Sequence, residues 1–183
     1  MTFSSGKNFA RKAAIVLLAA GNLGSAQSAK ARLGEEFNIF ENRIAMNFKF
    51  KGQDSKQNKK YYHYTMALDK TTEQNAPGFD GGLTVTVENG LIVGQSMLIR
   101  LGSNSEAGKA LAALHTLDFA FESLGRPAPK TKQEVQRELQ SYTDAVSKAL
   151  AGTPQNIRYA DTTGKITVSK QPDGSLAIAA TQG

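Results

Sequence analysis

From Ile44 the side chains alternate: Ile44, Met46, Phe48 and Phe50 fall on one side, Ala45, Asn47, Lys49 and Lys51 on the other. A period of two with one apolar face predicts a half-buried β-strand. The polar run GQDSKQNKK follows and reads as a long, lysine-rich loop. Alternation then resumes, with Tyr62, Tyr64, Met66 and Leu68 against Tyr61, His63, Thr65 and Ala67. The two runs predict an antiparallel hairpin with that loop at its tip. Upstream, EFNIF either extends the first strand or forms a separate short element; periodicity does not choose between them.

Past the turn-rich QNAPGFDGG, the stretch LTVTVENGLIVGQSMLIRL predicts a second hairpin. Its Asn89-Gly90 pair suits a type I′ turn, which needs positive φ at both central residues. Pairing through that turn sets Val85 opposite Gly94, where a glycine points to a bend, a bulge or a close approach.

The period then lengthens to that of a helix, twice. SNSE at Ser103 to Glu106 and TKQE at Thr131 to Glu134 both have the capping-box pattern, a hydroxyl followed three residues later by glutamate. Leu124-Gly125 and Ala151-Gly152, with Pro127 and Pro154 shortly after, mark the ends. The apolar stripes are Ala107, Leu111, Leu114, Leu117, Phe121 and Leu124, then Val135, Leu139, Tyr142, Val146 and Ala149. Each helix can bury one face. NIRYAD, KITVSK and SLAIAA then read as strands separated by TTG and by the turn QPDG. The expected fold is α+β: a mostly antiparallel sheet of strand meanders, with two consecutive helices packed on one face.

The first residues follow a different logic. MTFSSGKNFARK is cationic, AAIVLLAA is a short apolar core, and SAQSAK offers small residues for a peptidase. That three-part pattern predicts a cleaved export signal over 1–28, with Ala26 or Ser28 the last residue removed. Residues 29–183 are then a single α+β domain, with 29–43 an extended or poorly ordered lead-in. No apolar run approaches the roughly 20 residues that a membrane-spanning helix needs. The expected address is periplasmic or secreted. It is not that of a lipoprotein, because the chain has no cysteine to carry lipid.

Export changes the charge argument. The 183-residue chain is formally +6, but Lys7, Arg11 and Lys12 leave with the signal and no acid does. The remainder is about +3, which argues against nucleic acid as a partner. Absence of cysteine also excludes disulfides, thiolate metal sites and a cysteine nucleophile.

Catalytic patterns are sparse. Of the two histidines, His115 lies three residues before Asp118 on the first helix, the spacing of an oriented imidazole. No serine sits in a G-x-S-x-G context. His63 and His115 lie on a strand and a helix, so neither a metal nor a cofactor is expected. Glu35-Glu36 point apart if extended, Asp69 and Glu73 lack a calcium-loop pattern, and no glycine run matches a phosphate loop.

What remains is the first hairpin. Tyr62 and Tyr64 point to the core, leaving Lys49, Lys51, Lys56, Lys59, Lys60, Tyr61 and His63 as a cationic, aromatic patch. Exposed edge lysines also discourage aggregation without any ligand. As a binding surface, the patch suits an acidic protein or an anionic envelope component. The expected function is that of a non-enzymatic binding or accessory protein acting by protein contact, as an inhibitor, immunity or envelope factor. Two alternatives are a carrier of a hydrophobic ligand, lined by Phe119, Phe121, Met97 and Met66, and a hydrolase using His115.

Overall fold

The computed structural model describes residues 32–44, 48–102, 106–126, 129–159, 162 and 164–182. The expected signal segment therefore lies outside the described residues, as does the hydroxyl half of the SNSE cap.

One antiparallel sheet organises the chain, as expected of an α+β fold. Its strands are β1 (Phe48–Lys56), β2 (Lys59–Met66), β3 (Phe79–Glu88), β4 (Leu91–Leu101), β5 (Gln155–Arg158), β6 (Gly164–Lys170) and β7 (Leu176–Gln182). Their spatial order is β1-β2-β3-β4-β7-β6-β5. Two meanders thus meet where β7 returns to lie beside β4. The helices are α1 (Phe37–Ile44), α2 (Lys70–Asn75), α3 (Glu106–Leu124) and α4 (Lys132–Leu150).

The helix pair α3–α4 covers β4, β7, β6 and β5 from one side. Met97, Ile99, Ile166, Val168, Leu176 and Ile178 lie on the covered side of those strands and are buried, as are Leu83 and Val85 on the same face of β3. Each fully buried side chain of this size contributes about 1.5–3 kcal/mol. α4 starts as expected: Thr131 Oγ1 accepts from the Glu134 N–H at 3.2 Å, and Glu134 accepts from the Thr131 N–H at 3.1 Å. Its buried side is a stripe of Tyr142, Thr143, Ala145, Val146 and Ala149. α3 is buried around most of its circumference, Phe119 included, because it contacts both the sheet and α4.

Several expectations change in detail. Of the two readings left open for EFNIF, the separate short element is the one found: Phe37 to Phe40 open α1 while Glu36 forms a β-bridge with Leu91, and α1 runs through Ile44, where β1 was expected to begin. Of the lead-in over 29–43, residues from 32 onward pack on the domain. The Leu33 N–H donates to Ser123 O at 3.0 Å, and Phe37 and Phe40 are buried at 8% and 1% exposure.

The run GQDSKQNKK is not a loop. β1 continues through it to Lys56, and Gln57-Asn58 alone make the turn, at φ 53° and 61°. Positive φ at both central residues is the type I′ geometry that fits a two-residue hairpin.

The second hairpin turns at Asn89-Gly90 as expected, at φ 52° and 80°. Gly94 faces Thr86 rather than Val85, because a bulge after Thr86 shifts the register by one residue. At the far end of this hairpin Gly102 has φ +66°, and a Cβ there would lie 2.3 Å from the Pro77 carbonyl oxygen. Only glycine lets those two segments cross.

Candidate functional site

β2 projects alternate side chains to opposite faces, so the sheet divides the cationic, aromatic patch in two. On the face away from α3 and α4, Lys49 pairs with Thr65, Tyr61 with Asp54 and His63 with Gly52. Lys51 falls in a bulge between Phe50 and Gly52. On the other face, Lys60 pairs with Val87 and stands beside Tyr62. Lys56 and Lys59 close the turn that joins the two faces.

Two members of the outer half are paired with carboxylates. Lys59 Nζ lies 3.7 Å from Glu88 Oε2. His63 Nε2 lies 3.0 Å from Asp54 Oδ2, and its Nδ1 lies 3.1 Å from Thr84 Oγ1. A carboxylate only accepts, so Nε2 carries the proton and Nδ1 accepts from the threonine hydroxyl. Carboxylate, imidazole and hydroxyl in series is the order of an acyl-transfer triad. Here the hydroxyl stands on an open sheet face, and the backbone around Thr84 is engaged in ladders to β2 and β4. Among the described residues, no preorganised oxyanion donors converge on Thr84. The series ties three strands together.

The inner half is different. α1, the β1–β2 turn and the β3–β4 turn enclose an open groove of about 590 Å³, lined by Glu36, Asn58, Lys60, Tyr62, Asn89 and Leu91 among others. Local chain chemistry places each group. Asn58 and Asn89 sit at the positive-φ turn positions that asparagine tolerates best. Lys60 and Tyr62 are successive inward residues of β2. Glu36 is delivered by the lead-in, which docks on the start of β4: the Gly34 N–H donates to Ile92 O at 2.7 Å, the Ile92 N–H to Glu35 O at 2.9 Å, and the Phe37 N–H to Gly90 O at 2.9 Å. Phe37 stacks on Tyr62 with centroids 3.9 Å apart and fixes its ring.

Within the described residues, the side chains of Asn58, Asn89, Lys60 and Glu36 make no hydrogen bond or ion pair. Leu91 is 43% exposed among them. Of these residues, the sequence reading had singled out only Lys60 for binding. The others come from separate segments and carry no motif; the Asn-Gly turn was the one local signal that pointed there.

The sequence reading also missed a second polar constellation. The Arg126 guanidinium lies 3.5 Å from the Tyr159 ring centroid and 4.6 Å from that of Phe121, a cation held between two aromatic faces. Glu138 Oε1 lies 3.8 Å from Arg126 Nη2, and the Tyr142 and Tyr159 hydroxyls are hydrogen-bonded to each other. Burial pushes both tyrosine hydroxyls above their ordinary range, so neither ionises near neutrality. The cluster fastens the end of α3 and the middle of α4 to the exit of β5.

His115 is half-buried and stacked against Phe79, with centroids 5.7 Å apart. Asp118 is exposed, and among the described residues no hydrogen bond joins the two. Desolvation pushes the His115 imidazole down to about 4. Met66, Met97, Phe119 and Phe121, named as carrier lining, are members of the buried core. Among the described residues no group of three or more histidine, aspartate or glutamate side chains could hold a metal ion, and no helix is long and apolar enough to cross a membrane. Comparison with protein-family models, with curated proteins and with solved structures returns no match to this chain.

Proposed function

We propose that this is an exported, non-enzymatic binding protein that acts by contact with another protein, in the manner of an inhibitor, immunity or envelope accessory factor. Its working surface is the end of the sheet where the two hairpin turns meet α1. What supports this reading is the groove there, lined by Glu36, Asn58, Lys60 and Asn89, whose side chains make no hydrogen bond or ion pair among the described residues, with the exposed Leu91 at its margin. Such groups stay hydrated in the isolated protein and can exchange water for a partner's polar groups with little reorganisation. Export rests on the N-terminal pattern.

Two measurements test the proposal. Mass analysis of protein recovered from its host is expected to show an N-terminus after Ala26 or Ser28; an intact Met1 on cytoplasmic protein would remove the export claim. Replacing Lys56, Lys59 and Lys60 with glutamate is expected to weaken recovery of the partner at least about tenfold, equivalent to about 1.4 kcal/mol, with the melting transition unchanged. Equal recovery by the triple variant would remove the claim for this surface.

A further inference from the structure

We infer that the open face of the sheet, on the side away from α3 and α4, is where two copies of this chain meet as a symmetric dimer. The inference is independent of the partner proposed above.

Charge distribution gives the first reason. The middle row of that face runs His63, Thr84, Ser96, Ala179 and Thr167 across five strands. In the rows on either side, Leu98 stands between Gly82 and Ala177, and Gly94 between Thr86 and Thr181. From β3 to β7 these three rows hold no charged side chain and, apart from Leu98, nothing longer than threonine. A surface left to water is typically about a quarter to a third lysine, arginine, glutamate and aspartate. A neutral, level centre with charge only at its margins is instead the anatomy of a protein–protein contact. Leu98, 37% exposed, supplies the apolar anchor.

Symmetry gives the second. β4 is the middle strand of the seven, with three on either side. A two-fold axis along β4 lays β3 of one copy over β7 of the other, β2 over β6 and β1 over β5. Leu98 then meets its own copy on the axis. At the margins Lys165 faces Tyr61 of the second copy, a cation over an aromatic ring. Arg158 faces Asp54 of the second copy, whose carboxylate is 67% exposed beside His63. One margin is acidic and aromatic, the other basic, so the face complements itself. Lys49 meets no cation, because β5 begins at Gln155, and Arg100 is already paired with Asp80 at 3.4 Å.

Size gives the third. Six strand spacings of about 4.8 Å, and about 3.4 Å for each residue from Gly94 to Ile99 where β4 pairs with β7, span roughly 29 by 20 Å. That is about 600 Å² on each copy and about 1,200 Å² in all, above the roughly 1,000 Å² that a specific interface needs. Sheets packed face to face lie about 10 Å apart with their strands nearly aligned, a distance that short side chains suit. The turns at Gln57-Asn58 and Asn89-Gly90 lie beyond the last row, so both copies keep them open.

The test is light scattering of the purified protein at a series of concentrations through the micromolar range, where twice the chain mass is expected. Leu98→Glu sets two carboxylates against each other on the axis and should weaken association at least about tenfold, with the circular dichroism of the fold unchanged. Asp54→Arg and Arg158→Asp, both exposed and at the margin, should each weaken it as well. An equal mixture of those two variants should recover the dimer, because each altered residue then faces its opposite charge. A single-chain mass at every concentration, a dimer that all three variants leave intact, or a mixture that recovers nothing would overturn the inference.

Discussion

Around Arg126, a cation, a carboxylate and three aromatic rings close on one another; in the groove at the two hairpin turns, Phe37 stacks on Tyr62, but a cation, a carboxylate and two amides make no such contacts among the described residues. The first set is largely shielded, with Arg126 at 14% and Glu138 at 27% side-chain exposure. The second stands open, and its polar groups face water. Composition does not separate these regions, since both mix lysine or arginine with glutamate and tyrosine. The difference lies in whether the chain's own topology supplies the complement. Where it does, the cluster holds the fold; where it does not, the groups are available to another molecule.

Substitution should pull the two regions apart. The largest expected effect is at Arg126: its replacement by alanine removes the cation between two rings and leaves Glu138 without its partner. Stability should fall by about 3 kcal/mol, read from the urea midpoint. Arg126→Lys should recover little of this, because an ammonium cannot stack flat between rings. Tyr142→Phe, which deletes only the hydroxyl bonded to Tyr159, should cost about 1 kcal/mol. In the groove the ranking reverses. Lys60→Glu should leave stability within about 0.5 kcal/mol while measurably weakening capture of the partner.

A smaller effect concerns pH. The folded His115 is held near 4, and an unfolded histidine titrates near 6.5. Between those values the unfolded chain binds the extra proton at this site, so the His115 contribution to stability falls as pH drops from about 6.5 towards about 4 and is level above. For a half-buried ring the loss should be about 1 kcal/mol once solvent screening is allowed for, and His115→Gln should flatten that part of the stability–pH curve. The smallest effect is at His63. Its contacts are 41% exposed on the open face, so His63→Ala should cost no more than about 0.5 kcal/mol and leave groove binding unchanged. A large loss of activity in that variant would instead promote the Asp54–His63–Thr84 series to a functional site.

The sheet and α4 were legible because each buries one side, which imprints a period on the sequence; α3, buried around most of its circumference, was legible from its apolar run and the Gly-Pro punctuation at its end. The failures have the same cause in reverse. β1 is an edge strand whose far half is exposed on both faces, so Gly52 to Lys56 carry no alternation and resemble a loop. Its turn uses Gln57-Asn58 without a glycine, which hides a type I′ geometry. The bulges at Lys51 and after Thr86 shift the register by one residue each, a change that local periodicity does not register. α1 has only eight residues, too few to display a helical period. Of the groove, Lys60 was visible because it lies in a lysine-rich run. Glu36, Asn58, Asn89 and Leu91 converge only after two hairpins and the lead-in have packed, and Arg126 reaches Tyr159 across the helix pair. Contacts made by topology leave no mark in any one segment.

The most direct measurement is photo-crosslinking in the host cell, with a benzophenone side chain in place of Leu91 in one strain and of Ser96, further along β4 and away from the two turns, in another. A discrete adduct with a different protein from position 91 that disappears with Lys60→Glu, and none from position 96, is the predicted result. An adduct with a different protein from position 96 and none from 91 would contradict the account.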